Sequence, residues 1–196
     1  MAVIASWRAH RARAESLSAP FPAGRAARRV VGALLVLFGM ATAGAETLSG
    51  HVSEVIDGDT LRVVLLKRGP VLVRLAWVDA PDRLQAHGDA ARASLNALAA
   101  QRAVRLETVS GPPGLLRATV WVTPQEIPCR SEDCPKTLDL GHAQITRGMA
   151  WHDRRSLGQP AQAFGQYEHA EFEAKVRRIG LWAAKNPTPP WDWRPR

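Results

Sequence analysis

Two apolar, β-branched-rich runs, Leu48 to Ile56 and Leu61 to Leu66, flank the polar tetrapeptide Asp57-Gly58-Asp59-Thr60 and predict strand, turn, strand. Lys67-Arg68-Gly69-Pro70 makes the next turn, and Val71 to Val78 a third strand. From Asp89 to Ala100 the period changes, with Ala91, Leu95, Leu98 and Ala99 recurring at helical spacing. Alternation returns over Arg102 to Val109, where Val104 and Leu106 oppose Arg105 and Glu107, as in a half-buried strand. Gly111-Pro112-Pro113-Gly114 then turns the chain into Leu115 to Val122, a fifth strand.

Thr123 to Lys136 contains proline and both cysteines and reads as loop. Leu138 to Met149 predicts a short helix with Leu140, Ile145 and Met149 as its apolar positions. Tyr167 to Ile179 predicts a charged amphipathic helix that Gly180 is placed to end. The tail over residues 186–196 is too rich in proline for regular structure. Five short strands, one helix inserted after the third and helical covers at the end define an α+β chain that is mainly β. Its natural architecture is a five-stranded OB-fold barrel with about three helices, a barrel type that binds oligonucleotides or sugars.

At 196 residues, with 46% hydrophobic and 22% charged residues, the chain has room for one domain plus extensions. Its formal charge of +8 suggests an anionic partner, but residues 1–45 carry six arginines against one glutamate, +5 of that total. The +3 that remains is weak support for a nucleic-acid surface. That leader has Arg25, Arg28 and Arg29 before the apolar run Val30 to Met40, which ends in Ala41-Thr42-Ala43-Gly44-Ala45. The run is too short to span a bilayer well and the small residues fit a cleavage site, so residues 1–45 read as a signal peptide or membrane anchor. Cleavage after Ala45 gives a secreted or periplasmic protein beginning at Glu46; the membrane becomes a partner only if the leader is uncleaved. The domain then covers residues 46–185. In an oxidising compartment Cys129 and Cys134 close a small disulfide loop, because His142 and His152 form no zinc pattern with them.

The chemistry concentrates in Val55-Ile-Asp-Gly-Asp-Thr-Leu-Arg-Val63 and Val73-Arg-Leu-Ala-Trp-Val-Asp-Ala-Pro-Asp82. A hairpin turn explains Asp57-Gly58. It does not explain Asp59, or a following strand that ends in Asp79 with Asp82 three residues on. Three acids leaving adjacent strand ends repel one another unless a cation or basic groups sit between them. Calcium suits such a set, taking several carboxylate, carbonyl and water oxygens. Arg74 shares the strand of Asp79, and Arg117 lies on the fifth strand. Guanidinium forks match phosphate in bidentate fashion, so acids, cation and arginines together make a phosphodiester site.

In the order and spacing of Asp57-Gly-Asp-Thr60, Arg74 with Asp79-Ala-Pro-Asp82, the Arg117 strand, Gly148-Met-Ala-Trp151 and Gly180-Leu-Trp182, the chain resembles the staphylococcal nuclease family. The tail Asn186-Pro-x-Pro-Pro-Trp-Asp-Trp-Arg194 is similar to bacterial members, and the resemblance covers roughly residues 48 to 194. It implies calcium-dependent cleavage of single-stranded DNA and RNA at the 5′ side of the phosphate, by a monomer with no stable protein partner. Calcium ligation falls on Asp59, Asp79 and the carbonyl of Ala80, phosphate contacts on Arg74 and Arg117, and the general base on Asp82. The chain departs from the family at three places. Asp82 stands where Glu is usual, Leu115-Leu116 replaces a Tyr-Gly before Arg117, and the aromatic residues that pack on the nucleotide are not obvious. A family member that lost catalysis and binds nucleic acid or a protein is the alternative reading. A barrel for carbohydrate or peptide is poorly served by three acids and two arginines. Trp77, Trp121 and Trp182 are expected in the core, His87, His142 and His169 on the surface, and Trp191-Trp193 packed across the barrel.

Overall fold

Alternation fixes which side chains the strands turn inward. In β1 (Thr47–Val55), β2 (Thr60–Leu65) and β3 (Gly69–Leu75), Val52, Leu61, Val63 and Val73 are all fully buried while Arg62 and Leu72 face out. The computed structural model describes residues 46–109, 115–129, 131 and 133–194, so the leader and the Gly111–Gly114 turn lie outside the described residues. β1 pairs antiparallel with β2, β2 with β3, β1 with β5 (Ala103–Val109), and β5 with β6 (Leu116–Val122). A parallel pairing of β3 with β6 closes the five strands into the expected barrel. Val104, Leu106, Ala118, Val120 and Val122 complete an apolar interior, roughly 1.5–3 kcal/mol for each fully buried valine or leucine. The interior fixes the register of every strand, because a slip by one residue would turn this apolar set to solvent.

Helix α1 (Gly88–Ala99) buries Ala91, Leu95, Leu98 and Ala99, matching the predicted period. The third strand does not run on to Val78 as predicted. Trp77 adopts φ 58°, in the left-handed region, and the chain resumes as the short β4 (Val78–Asp79). β4 pairs with β8 (Trp151–His152), which draws Asp79 off the barrel toward the C-terminal half. Sequence pattern missed this break because Leu75 to Val78 stays apolar throughout.

The covering helices also differ in extent from the prediction. Leu138–Asp139 joins β6 as β7, and α2 is only Leu140–Thr146. The Asp139 carboxylate accepts from the amides of Gly141 at 2.9 Å and His142 at 3.4 Å, so this residue caps the helix instead of lying in it. Helix α3 spans Ala161–Val176 instead of Tyr167 to Ile179; polar Gln162 and Gln166 and helix-disfavouring Gly165 hide its first turns. Gly180 does not end α3. It opens a 3-10 turn (Gly180–Ala183), and a Cβ there would lie 2.2 Å from the Gly148 carbonyl oxygen. The tail, expected irregular, contains the single turn α4 (Pro190–Trp193). Proline opens it without cost, since the first-turn amide it lacks would have no helical partner. Cys129 and Cys134 are joined as a disulfide.

Among the tryptophans expected in the core only Trp77 is buried. Trp121 is half-buried under the Arg105 guanidinium, and Trp182 is half-buried between Lys175 and Trp151. His87 and His169 are exposed as expected, but His142 is half-buried against Tyr167.

Candidate active site

The Asp57-Gly-Asp-Thr60 turn is held from beneath. A Cβ on Gly58 would lie 2.6 Å from the Ala91 side chain and 2.7 Å from that of Ala80, so only glycine lets the turn seat against α1. The fully buried Gln144 donates to the carbonyls of Gly58 at 2.8 Å and Ala91 at 3.0 Å, and accepts from Ser94. Asp57 accepts the Asp59 amide at 3.0 Å, and the Thr60 hydroxyl donates to Asp59 Oδ1 at 2.8 Å. These bonds leave Asp59 Oδ2 directed at its neighbours from the third and fourth strands.

Asp59, Arg74 and Asp79 meet directly. One nitrogen of Arg74, Nη2, lies 3.0 Å from Asp59 Oδ2 and 2.8 Å from Asp79 Oδ1, while the Ala80 amide donates to Asp59 Oδ2 at 3.0 Å. Both carboxylates are buried, at 2% exposure. Arg117 reaches the same place through the barrel closure, since β3–β6 pairing sets Arg74 directly opposite Arg117. It forms no ion pair among the described residues. Its Nη2 donates to Ser156 Oγ at 2.8 Å, and that hydroxyl donates on to Asp153 at 2.7 Å. Asp82 stands farther out and is joined to Asp79 through a shared arginine. All six residues singled out in the sequence thus lie at one rim of the barrel.

Two further arginines stand there that were given no site role from the sequence. Arg155 donates to Asp153 at 2.7 Å and to Asp79 Oδ2 at 3.1 Å, with its guanidinium 4.1 Å above the Trp191 ring. Arg194, from the residue after α4, forks onto Asp82 at 3.0 and 2.9 Å and reaches Asp79 Oδ2 at 3.2 Å. Arg155 could have been suspected from its place beside Trp151-His152, but Arg194 lies 112 residues from its partner Asp82.

The charges are not evenly settled. Burial, then the nearby Asp59 charge, pushes the Asp57 carboxyl up to about 6. Burial also raises Asp79, with Asp59 adding to the effect, and the surrounding arginines do not offset it. At Asp153 burial acts in the same sense, but bonds from Arg155 and Ser156 outweigh it and hold that carboxyl below its ordinary value. Burial opposes the charge on Arg74, yet Asp59 and Asp79 raise its affinity for the proton. The arrangement is a barrel rim with buried negative charge at its base and guanidinium groups around it.

Among the described residues no three His, Cys, Asp or Glu side chains gather into a metal cage. The fit to calcium rests instead on Asp59 and Asp79, whose oxygens already converge on one cationic nitrogen. The Ala80 carbonyl would add a third hard oxygen donor, and the remaining positions of a six- to eight-coordinate ion would fall to water and substrate.

The class is thus a closed five-stranded OB barrel that carries acids and arginines together on one rim. Residues 72–184 match the family described as staphylococcal nuclease homologues. The chain is 37% identical over 167 residues to Protein ParB of Escherichia coli, covering 85% of this chain and 89% of that one. It is 35% identical over 170 residues to a micrococcal nuclease of Shigella flexneri (86% and 92% covered). It is 32% identical over 163 residues to an uncharacterized endonuclease of Haemophilus influenzae (82% and 81% covered). The chain belongs to the staphylococcal nuclease family.

Proposed function

We propose that the protein is an exported, calcium-dependent nuclease that hydrolyses phosphodiester bonds in single-stranded DNA and RNA. The observation that carries this reading is Arg117. It lies in register beside the like-charged Arg74 and has no acid partner among the described residues. Two adjacent guanidinium groups are stable where an anion joins them, and a phosphodiester presents two oxygens at the spacing their forks accept. The names of the relatives, micrococcal nuclease and endonuclease, point the same way.

Arg74 and Arg117 would bind the non-bridging phosphate oxygens and hold the phosphorus above Asp59 and Asp79. Asp82 would accept a proton from the attacking water as its oxygen bonds to phosphorus. The bond to the 5′ oxygen breaks opposite, and that oxygen leaves with a proton drawn from solvent. The guanidinium groups stabilise the charge that grows on the phosphate oxygens in the transition state. Calcium, held by Asp59, Asp79 and the Ala80 carbonyl, would supply further charge neutralisation and polarisation of the phosphate.

The purified protein, incubated with single-stranded DNA and with RNA in calcium and then in excess chelator, tests this. Cleavage in calcium alone is expected; equal cleavage in chelator overturns the metal assignment. A second reading, a family member that binds strands without cutting them, is favoured by Asp82, one methylene shorter than the glutamate usual at that place. Calcium-dependent binding without cleavage in the same assay would establish it. Export is supported by the leader and by the Cys129–Cys134 disulfide. N-terminal sequencing of protein recovered from the producing cell should begin at Glu46.

A further inference from the structure

The C-terminal segment is anchored at several points before it reaches the site. The Gln85 amide donates to the Thr188 carbonyl at 2.6 Å and its oxygen accepts the Asp82 amide at 3.2 Å, tying the tail to the loop that carries Asp82. Pro190 is buried, and Trp191 lies under Arg155 with its edge toward Trp151. This seating delivers Arg194 to the two acids. Nε and Nη2 meet the two oxygens of Asp82 at 3.0 and 2.9 Å; Nη2 and Nη1 meet the two oxygens of Asp79 at 2.9 and 3.2 Å.

We propose that Arg194 is a positioning residue of the active site, which fixes the Asp82 carboxylate relative to Asp79 so that the C-terminal segment completes the catalytic rim. The proposal rests on the nuclease reading above. Asp82 is more exposed than the other acids, with 36% of its side chain accessible, and among the described residues no other group bonds its carboxylate oxygens. An unheld aspartate on a surface loop samples several rotamers, most of which aim away from a water at phosphorus. A bidentate guanidinium takes one lone-pair direction from each oxygen, and a carboxylate has about four in all. Asp82 therefore keeps acceptor capacity for a water proton while its plane is held. The same fork offsets the repulsion between Asp79 and Asp82. Phosphate binding is left to Arg117, and to Arg74, whose Nη1 takes part in none of the bonds to the acids.

The test compares the full-length protein with Arg194→Ala and Arg194→Lys on single-stranded DNA in calcium, measuring kcat, KM and the thermal midpoint. For Arg194→Ala we expect kcat to fall on the order of 10²-fold, the cost of a base misplaced by about 1 Å, with KM little changed. Millimolar guanidinium ion should restore part of that loss. Arg194→Lys should recover only a fraction, because a point charge neutralises the acids without setting the carboxylate plane. The inference is overturned if the unmodified protein cleaves and Arg194→Ala cleaves as fast or faster. It is equally overturned if the kcat loss follows a fall in thermal midpoint and guanidinium restores none of it. An unmodified protein that cuts no single strand refutes the nuclease reading itself, and this proposal with it.

Discussion

Glu171 and Asp79 are both buried carboxylates surrounded by cations, yet their environments act on them in opposite senses. Glu171, on α3, accepts from Lys175 and Arg154 at 2.9 Å each and from the His152 amide at 3.1 Å. Burial pushes its carboxyl up, but those donors outweigh burial and hold it below its ordinary value. Asp79 accepts from Arg74, Arg155 and Arg194, and is raised all the same, because burial and the charge of Asp59 prevail. The difference lies in what else is near. Glu171 has a fixed backbone donor, whereas Asp79 shares its cations with Asp59, Asp82 and Asp153. One cluster is closed and structural. The other spreads Arg74, Arg155 and Arg194 over four acids, so no one carboxylate is fully neutralised.

The largest expected contrast is in activity. Asp59→Ala or Asp79→Ala should reduce cleavage of single-stranded DNA to background, while Glu171→Gln should leave kcat unchanged. A Glu171→Gln enzyme as inactive as Asp79→Ala would dissolve the distinction between the clusters. Next in size is Asp82. Asp82→Ala should lower kcat by about 10²–10⁴-fold, the usual range for a general base, with KM little altered. Asp82→Glu should raise kcat by restoring the missing methylene. Cleavage untouched by Asp82→Ala would remove Asp82 from that role.

Stability should divide in the reverse way. Glu171→Ala loses charge-assisted bonds worth roughly 1–3 kcal/mol, and the thermal midpoint should fall by about 2–4 °C for each kcal/mol lost. A midpoint within error of the unmodified protein would show the α3 cluster to be incidental.

The smallest effects are in the pH dependence of that midpoint, and they have opposite signs. Glu171 is depressed in the folded state, so its contribution is complete above its ordinary value of 4.5 and is lost as pH falls through the lower folded value. Glu171→Gln should therefore flatten the acid side of the curve. Asp57 is raised from 3.8 to about 6, so the folded chain holds its proton more tightly and stability falls as pH rises through that window. Asp57→Asn should remove this decline in metal-free protein. A decline that persists in Asp57→Asn would assign it to another group.

How much of this was legible in the sequence follows from the range over which each feature is encoded. The barrel strands and α1 were readable because alternation and helical period are local, and burial of one face enforces them residue by residue. The meeting of Asp59, Arg74 and Asp79 was readable because the turn before β2, then β3 and β4, follow closely along the chain. The break at Trp77 was not, since an apolar run looks the same whether it continues one strand or bends into another. The true start of α3 was hidden by its weak amphipathic period.

The sequence by itself determined the barrel's apolar lining, the acid-rich turn and the family to which they belong. Only the tertiary structure decided that Arg117 stands beside Arg74, which depends on the parallel closure of β3 onto β6. It alone decided that Glu171 is a closed structural acid and that Arg194 ends on Asp82, 112 residues away. A guanidinium finds its carboxylate through space, by Coulomb attraction within a few ångströms, and nothing in the spacing of residues along a chain records which distant elements folding will bring that close.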